Sequence, residues 1–358
     1  MFALFFLFVT LADPGVAADL DVGDAKGQTI VEAVEYPART APVVRNERVK
    51  VPDKGFITVE EGARIYYEKV GTGKQTVVVP LHMFLFDDFR HLAKGRTMIF
   101  YDVRNRGRSD AIADGTKLTV QHDVEDLEVL RKHFQIDRMT LIGESYVGLM
   151  VVMYAMKYPQ HVERLVQIGP VPLKYGTKYP TELTANDPTP VPDPAEVAKI
   201  DELYKQEVHK TDPQGFCRSD WELTKFGLVG DPKNVDKLRS PCDLSNEWPV
   251  NLYRHFASHF VSVQKLEITK DEVSKVEVPV LTIHGTKDRN AAYGSGREWA
   301  RLLPNAMLLT VPNAAHFPWI DDPQLVFGSI KEFLSGRFPS TAQKVHADDR
   351  SSKSGDQE

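Results

Sequence analysis

Cysteine is nearly absent from this chain of 358 residues, occurring only at Cys217 and Cys242. Two thiols at that spacing match no zinc or iron–sulfur pattern, so no metal site is expected, and no other motif implies a cofactor. Positive charge is not in excess: 44 Lys and Arg stand against 50 Asp and Glu, a formal net charge of −6. A basic face for nucleic acid or an anionic membrane is therefore not expected. The apolar run Phe2 to Val9 is too short to span a bilayer, and no internal repeat is visible.

What is present points to a globular chain. With 42% hydrophobic residues, it can bury one large core plus a smaller satellite. Residues 1–18 carry the short apolar run, then Asp13, Pro14, Gly15, and small residues Val16, Ala17, Ala18 at a cleavage point. They read as a secretory signal, with an uncleaved anchor as the alternative; no Lys or Arg precedes the apolar run. The mature protein is then expected to be secreted or periplasmic, off the membrane after cleavage, with its two cysteines joined in one disulfide contributing ~3 kcal/mol.

Buried strands are expected at about 56–60, 63–70, 75–81, 97–103, 138–144, 163–169, 278–284 and 306–311. They alternate with helices near 120–134, 146–158, 291–303 and 324–335. That alternation predicts an α/β fold, a mostly parallel eight-stranded sheet with helices on both faces, the first two strands forming a hairpin. Between Val171 and Lys275 the pattern breaks: the stretch is proline-rich at 188–194, helical from Pro194 to Lys210, then aromatic and polar. The expected organisation is an N-terminal extension over 19–50, core over 51–170, a helical cap insert over 171–275, core again over 276–336, and a disordered tail over 337–358.

Ser145 stands where the apolar strand Thr140, Leu141, Ile142 passes through Gly143 and Glu144 into a helix beginning Tyr146, Val147, Gly148. A sharp strand-to-helix turn there would lift Oγ above the sheet and set the helix's first N–H groups, starting with Tyr146, against a substrate carbonyl. A serine in that place also serves as a simple helix cap. Downstream, Asp288 follows the strand ending Ile283, His284, Gly285, and His316 follows the strand Met307 to Val311. Ser, Asp and His in that order, each at the C-terminal end of a strand, form a nucleophile, orienting acid and general base.

With these residues the chain resembles the α/β-hydrolase superfamily. The loop Tyr101 to Asp110, rich in arginine, and the helix carrying Asp123, Val124, Glu125, Asp126, Leu127 look most like the proline iminopeptidase branch. The resemblance spans about residues 50–336 and implies an α/β-hydrolase fold, an acyl-enzyme mechanism and removal of an N-terminal residue, often proline, from short peptides. The hexapeptide Gly143 to Gly148 is also similar to the serine-carboxypeptidase elbow, but that family's glycine-rich oxyanion motif is absent.

Two departures stand out. The family usually has His-Gly after its third strand, whereas here His82 is followed by Met83, Phe84 and Leu85. An oxyanion N–H would have to come from Met83 or Phe84 in an ordinary backbone region. Val147 occupies a place where glycine or alanine is common. Glu144 reads either as a polar turn residue or as a partner for a charged substrate terminus. In the cap, Glu247 is a candidate carboxylate for a substrate ammonium, beside Trp248; a helix-start role explains it equally well. His255 and His259 read as packing or surface residues. Three functions stay open: an exported serine aminopeptidase acting on short peptides, a carboxylesterase on small acyl or aryl esters, and a binding protein with poor turnover. An aspartate-nucleophile hydrolase is disfavoured by the serine at the elbow. The partner expected is a small molecule or short peptide; the oligomeric state is left open.

Overall fold

Alternating apolar runs become eight strands: β1 (Lys54–Thr58), β2 (Arg64–Val70), β3 (Thr76–Pro80), β4 (Thr97–Tyr101), β5 (Met139–Glu144), β6 (Val162–Ile168), β7 (Val280–Gly285) and β8 (Ala306–Val311). The computed structural model describes residues 53–185, 194–243, 259 and 261–346. The segments expected as signal peptide and N-terminal extension, and Glu247, Trp248 and His255, lie outside the described residues.

The strands form one sheet in the order β1-β2-β4-β3-β5-β6-β7-β8. β1 and β2 form an antiparallel hairpin, β2 runs antiparallel to β4, and every other pairing is parallel. β3, β5, β6 and β7 lie inside the sheet, which explains why Val77, Val78, Val79, Leu141, Ile142, Val166 and Ile283 are fully buried and why these strands read as continuous apolar runs. Burying each such side chain contributes about 1.5–3 kcal/mol. Parallel pairing places the C-terminal ends of β5, β6, β7 and β8 side by side, and the loops leaving those ends form a single edge.

Four helices pack against the sheet: α1 (His82–Phe89), α2 (Val120–His133), α3 (Tyr146–Lys157) and, after the insert, α6 (Tyr293–Leu302); a fifth, α7 (Pro323–Leu334), buries Val326, Ile330 and Phe333 in the same core. The insert contributes α4 (Pro194–Lys205) and α5 (Pro213–Thr224). α1 has no counterpart in the sequence reading. It begins directly after β3, where Leu81 adopts a left-handed conformation at φ 67°, and its two-turn length is too short to show a period. The C-terminal boundary also needs correction. Residues 337–346 are ordered against the core, with Ala342 and Val345 buried and Gln343 bridged to Leu308 of β8. The charged residues that follow them dominate the composition and hide this short docking segment.

Candidate active site

The β5-to-α3 turn is built by glycine. A Cβ on Gly143 would lie 2.5 Å from the carbonyl oxygen of Val147, so only glycine lets the helix start this close to the strand. Val147 causes no conflict, because its side chain is fully buried in the core. The turn leaves Ser145 at φ 56°, ψ −127°, a conformation a serine adopts only at a cost of about 1–3 kcal/mol and only where surrounding structure enforces it. The enforcement is visible: Ser145 N–H donates to Ile168 O at 2.9 Å, and Gly148 N–H donates to Ser145 O at 3.0 Å. Ser145 itself is 6% exposed.

Asp288 and His316 meet on the same edge. His316 Nδ1 lies 2.8 Å from Asp288 Oδ2. The other oxygen, Oδ1, accepts from the N–H groups of Asn290 and Ala291, each at 2.9 Å, which fixes the carboxylate's plane. Two residues with no site role in the sequence reading support this pair. His284, fully buried, places Nε2 3.2 Å from Asp288 Oδ2 and 2.9 Å from Ala291 O. Gly169, at φ 51°, lies beneath the pair: a Cβ there would come within 3.1 Å of Asp288 Oδ2 and 3.2 Å of His316 Nδ1. A histidine ending a strand and a glycine after Ile168 carry no pattern that would single them out in one sequence.

The second ring nitrogen of His316 does not donate to Ser145. Nε2 instead lies 2.9 Å from Glu144 Oε1. That oxygen is buried and has no hydrogen-bond partner of proper angle, so the contact is one of charge rather than an aligned hydrogen bond. Glu144, read either as a polar turn residue or as a partner for a charged substrate terminus, is buried on the turn at 4% exposure. Burial alone would lower the His316 pKa, but the carboxylates of Asp288 and Glu144 against its two nitrogens outweigh that and raise it to about 10. Burial likewise opposes the charge on Asp288, yet the His316 and His284 rings hold its carboxyl well below the usual range. In this state the ring is an imidazolium clamped between two carboxylates.

Met83 and Phe84 are not placed as oxyanion donors in this conformation. Met83 N–H donates to Asp102 Oδ1 at 2.9 Å, and Phe84 N–H donates to Leu81 O at 3.0 Å. Because α1 starts immediately after Leu81, these two N–H groups turn inward to the helix and to buried Asp102, which also accepts from Arg108 N–H at 3.0 Å. Burial pushes the Asp102 carboxyl above its ordinary pKa. Tyr146, the third expected donor, sits at the first position of α3. The Arg106 guanidinium lies over both the Tyr146 ring, at 5.6 Å, and the Phe84 ring, at 5.9 Å. Arg104 of the same loop forms a buried two-bond pair with Asp126 of α2, at 2.7 and 2.6 Å, so the arginine loop and the acidic helix are physically joined. His259 is buried, with Nε2 2.7 Å from Asp123 Oδ2. Among the described residues, no group of three or more His, Cys, Asp or Glu is placed to hold a metal ion.

The insert is fastened over this edge. Cys217 and Cys242 form a disulfide that packs against Met83, Phe84 and Trp221. Phe317 N–H donates to Leu228 O at 2.8 Å. Asp321 links the insert to the His316 loop: Oδ2 accepts from Gly230 N–H at 2.8 Å and Ala315 N–H at 3.0 Å, and Oδ1 accepts from Asn234 Nδ2 at 2.8 Å.

A family model described as alpha/beta hydrolase fold matches residues 86–323. Relatives include a bifunctional esterase/perhydrolase from Acinetobacter calcoaceticus, 25% identical over 73% of this chain and 92% of its own length. A proline iminopeptidase from Heyndrickxia coagulans is 24% identical over 79% of this chain and 98% of its own length. Among solved structures, an esterase from Exiguobacterium antarcticum superposes with a TM-score of 0.60 at 18% identity, over 78% of this chain and 99% of that one.

Proposed function

Since the chain belongs to the α/β-hydrolase fold family and is a serine hydrolase in the broad sense, we propose that it is an exported aminopeptidase of the proline iminopeptidase kind. It would work through an acyl-enzyme on Ser145. The observation that carries the nucleophile assignment is the strained Ser145 turn on the edge where Asp288 holds His316 at 2.8 Å. Ser145 Oγ attacks the substrate carbonyl carbon while its proton passes to neutral His316 Nε2. The bond to the leaving amine then breaks as His316 returns that proton to the nitrogen. Water repeats the sequence, its proton going to His316 and then to Ser145 Oγ as the acyl–oxygen bond breaks. Asp288 fixes the ring and stabilises the imidazolium, and the Tyr146 N–H supports the oxyanion. A second donor from the His82–Phe84 turn requires Met83 N–H to leave Asp102.

The peptide substrate is favoured by relatives named proline iminopeptidase, and the sequence offers Glu247 with Trp248 in the insert, or Glu144 at the elbow, as candidate partners for a substrate terminus. The second reading, a carboxylesterase, is favoured by the esterase/perhydrolase relative and by the apolar Met83, Phe84 and Trp221 against the disulfide. Proline arylamide, its N-acetyl form and a short-chain p-nitrophenyl ester separate them. The aminopeptidase predicts kcat/KM lower by ~30-fold or more on acetylation, the scale of losing a desolvated charge pair. Equal rates on the first two, or turnover of the ester alone, would leave the esterase standing.

A further inference from the structure

The nitrogen that must receive the Ser145 proton is faced at 2.9 Å by Oε1 of a buried carboxylate, an oxygen that accepts no aligned hydrogen bond, and that arrangement is unproductive as it stands. A protonated ring cannot act as a base, and Glu144 keeps it protonated from the side facing the reacting serine. Glu144 is buried and its Oε1 lacks any aligned donor, so it is poised for a cation. It is also the chain neighbour of Ser145. A positive group two bonds from the scissile carbonyl carbon therefore comes within reach of it when that carbon meets Oγ.

We propose that Glu144 recognises a cation on the acyl side of the substrate, an α-ammonium group, and that this engagement releases His316 to act as base. Once Glu144 pairs with the ammonium, His316 keeps only Asp288 as a charged partner. The imidazolium then gives its Nε2 proton to solvent, and the neutral ring takes the proton of Ser145. Substrates without the cation meet a base that is still charged. The groups facing the switch are Asp288 at Nδ1, His284 behind Asp288, and Glu144 at Nε2, with Tyr146 beside Glu144 and the Arg106 guanidinium over the Tyr146 ring. The inference rests on Ser145 and His316 being the reacting pair, and it deepens the aminopeptidase reading by naming the residue that reads the amine. It does not depend on whether the leaving group is an amine or an alcohol.

The test compares proline benzyl ester with cyclopentanecarboxylic acid benzyl ester, which differ in the amine, using wild type and Glu144→Gln over pH 5–10. Wild type should favour the amine ester by about 100-fold in kcat/KM, the scale of a desolvated charge pair. Its acid limb in kcat, which reports the enzyme–substrate complex, should lie at least ~1 pH unit lower for the amine ester than for the neutral one. Glu144→Gln should shrink the preference below about tenfold. It should also move the neutral-ester limb down, because removing a carboxylate from the ring lowers the histidine pKa. The wild-type limbs alone decide the matter should the variant fold poorly. Equal limbs and equal rates for the two esters in wild type, or an unmoved preference and limb in folded Glu144→Gln, would overturn the inference. Ser145→Ala distinguishes the levels: a dead Ser145→Ala with no Glu144 effect removes this inference alone, whereas turnover surviving Ser145→Ala removes the reading beneath it.

Discussion

The sheet edge and the insert above it are built on different principles. At the edge, parallel strands buried on both faces fix four loops to within hydrogen-bond tolerance, and this rigidity keeps Ser145 in a conformation it would not choose. Among the described residues, the insert has no comparable core. Its own buried cluster centres on Ile200 and Phe216, and it is held by a disulfide, by Asp321 and by the Phe317 to Leu228 bond. Stored strain requires the first kind of support, while substrate fit can be left to the second. Chemistry therefore belongs to the edge and selectivity to the place where edge and insert meet.

Changes at the edge should remove activity without unfolding the chain, and changes in the insert's fastenings should do the reverse. The largest effect is expected from Ser145→Ala: kcat should fall by about 10⁴-fold or more with the thermal midpoint within ~2 °C, read by steady-state kinetics and calorimetry. Asp321→Ala should cost about 3–4 kcal/mol in denaturant unfolding, since it strips an ionised acceptor from N–H groups of the insert and of the His316 loop together. Opening the Cys217 to Cys242 disulfide, as the double serine variant, should cost about 3 kcal/mol. That loss should appear as early protease cleavage within 194–243 while amide exchange in β5 to β7 stays slow. A smaller stability change than for either insert variant is expected for Gly169→Ala, about 2 kcal/mol from the left-handed backbone and the tight approach to the acid–histidine pair. Its kcat should nevertheless drop by roughly tenfold or more, because the new methyl displaces the groups it touches. A Gly169→Ala protein with unchanged kcat would break the link between rigid edge and chemistry.

Legibility followed the same divide. Strands such as Val77 to Val79 and Val280 to Ile283 are continuous apolar runs because both faces are covered, so the sheet could be read from one sequence. Ser145, Asp288 and His316 fall at strand ends, and strand ends are predictable once the strands are. The contact between Glu144 and His316 was not legible, because it depends on a side-chain direction set by a turn. Neither was the loss of the Met83 and Phe84 N–H groups: it follows from a two-turn helix starting at His82, too short to leave a period in sequence. Gly169, His284 and Asp321 act through tertiary neighbours about ninety or more residues away or across a loop, and their local sequence carries no sign of that. In the insert, short helices interrupted by proline gave composition but no register.

The central claim is that the sheet edge presents Ser145 as an acyl-transfer nucleophile. Labelling the folded protein with a fluorophosphonate, followed by intact mass and peptide mapping, tests it most directly. The account predicts a single adduct on Ser145, faster as pH rises because His316 must be neutral to accept the proton, and absent from Ser145→Ala and strongly slowed in His316→Ala. Folded wild-type protein that takes no label at Ser145 anywhere between pH 6 and 10, or an adduct that persists at another residue in Ser145→Ala, would contradict it.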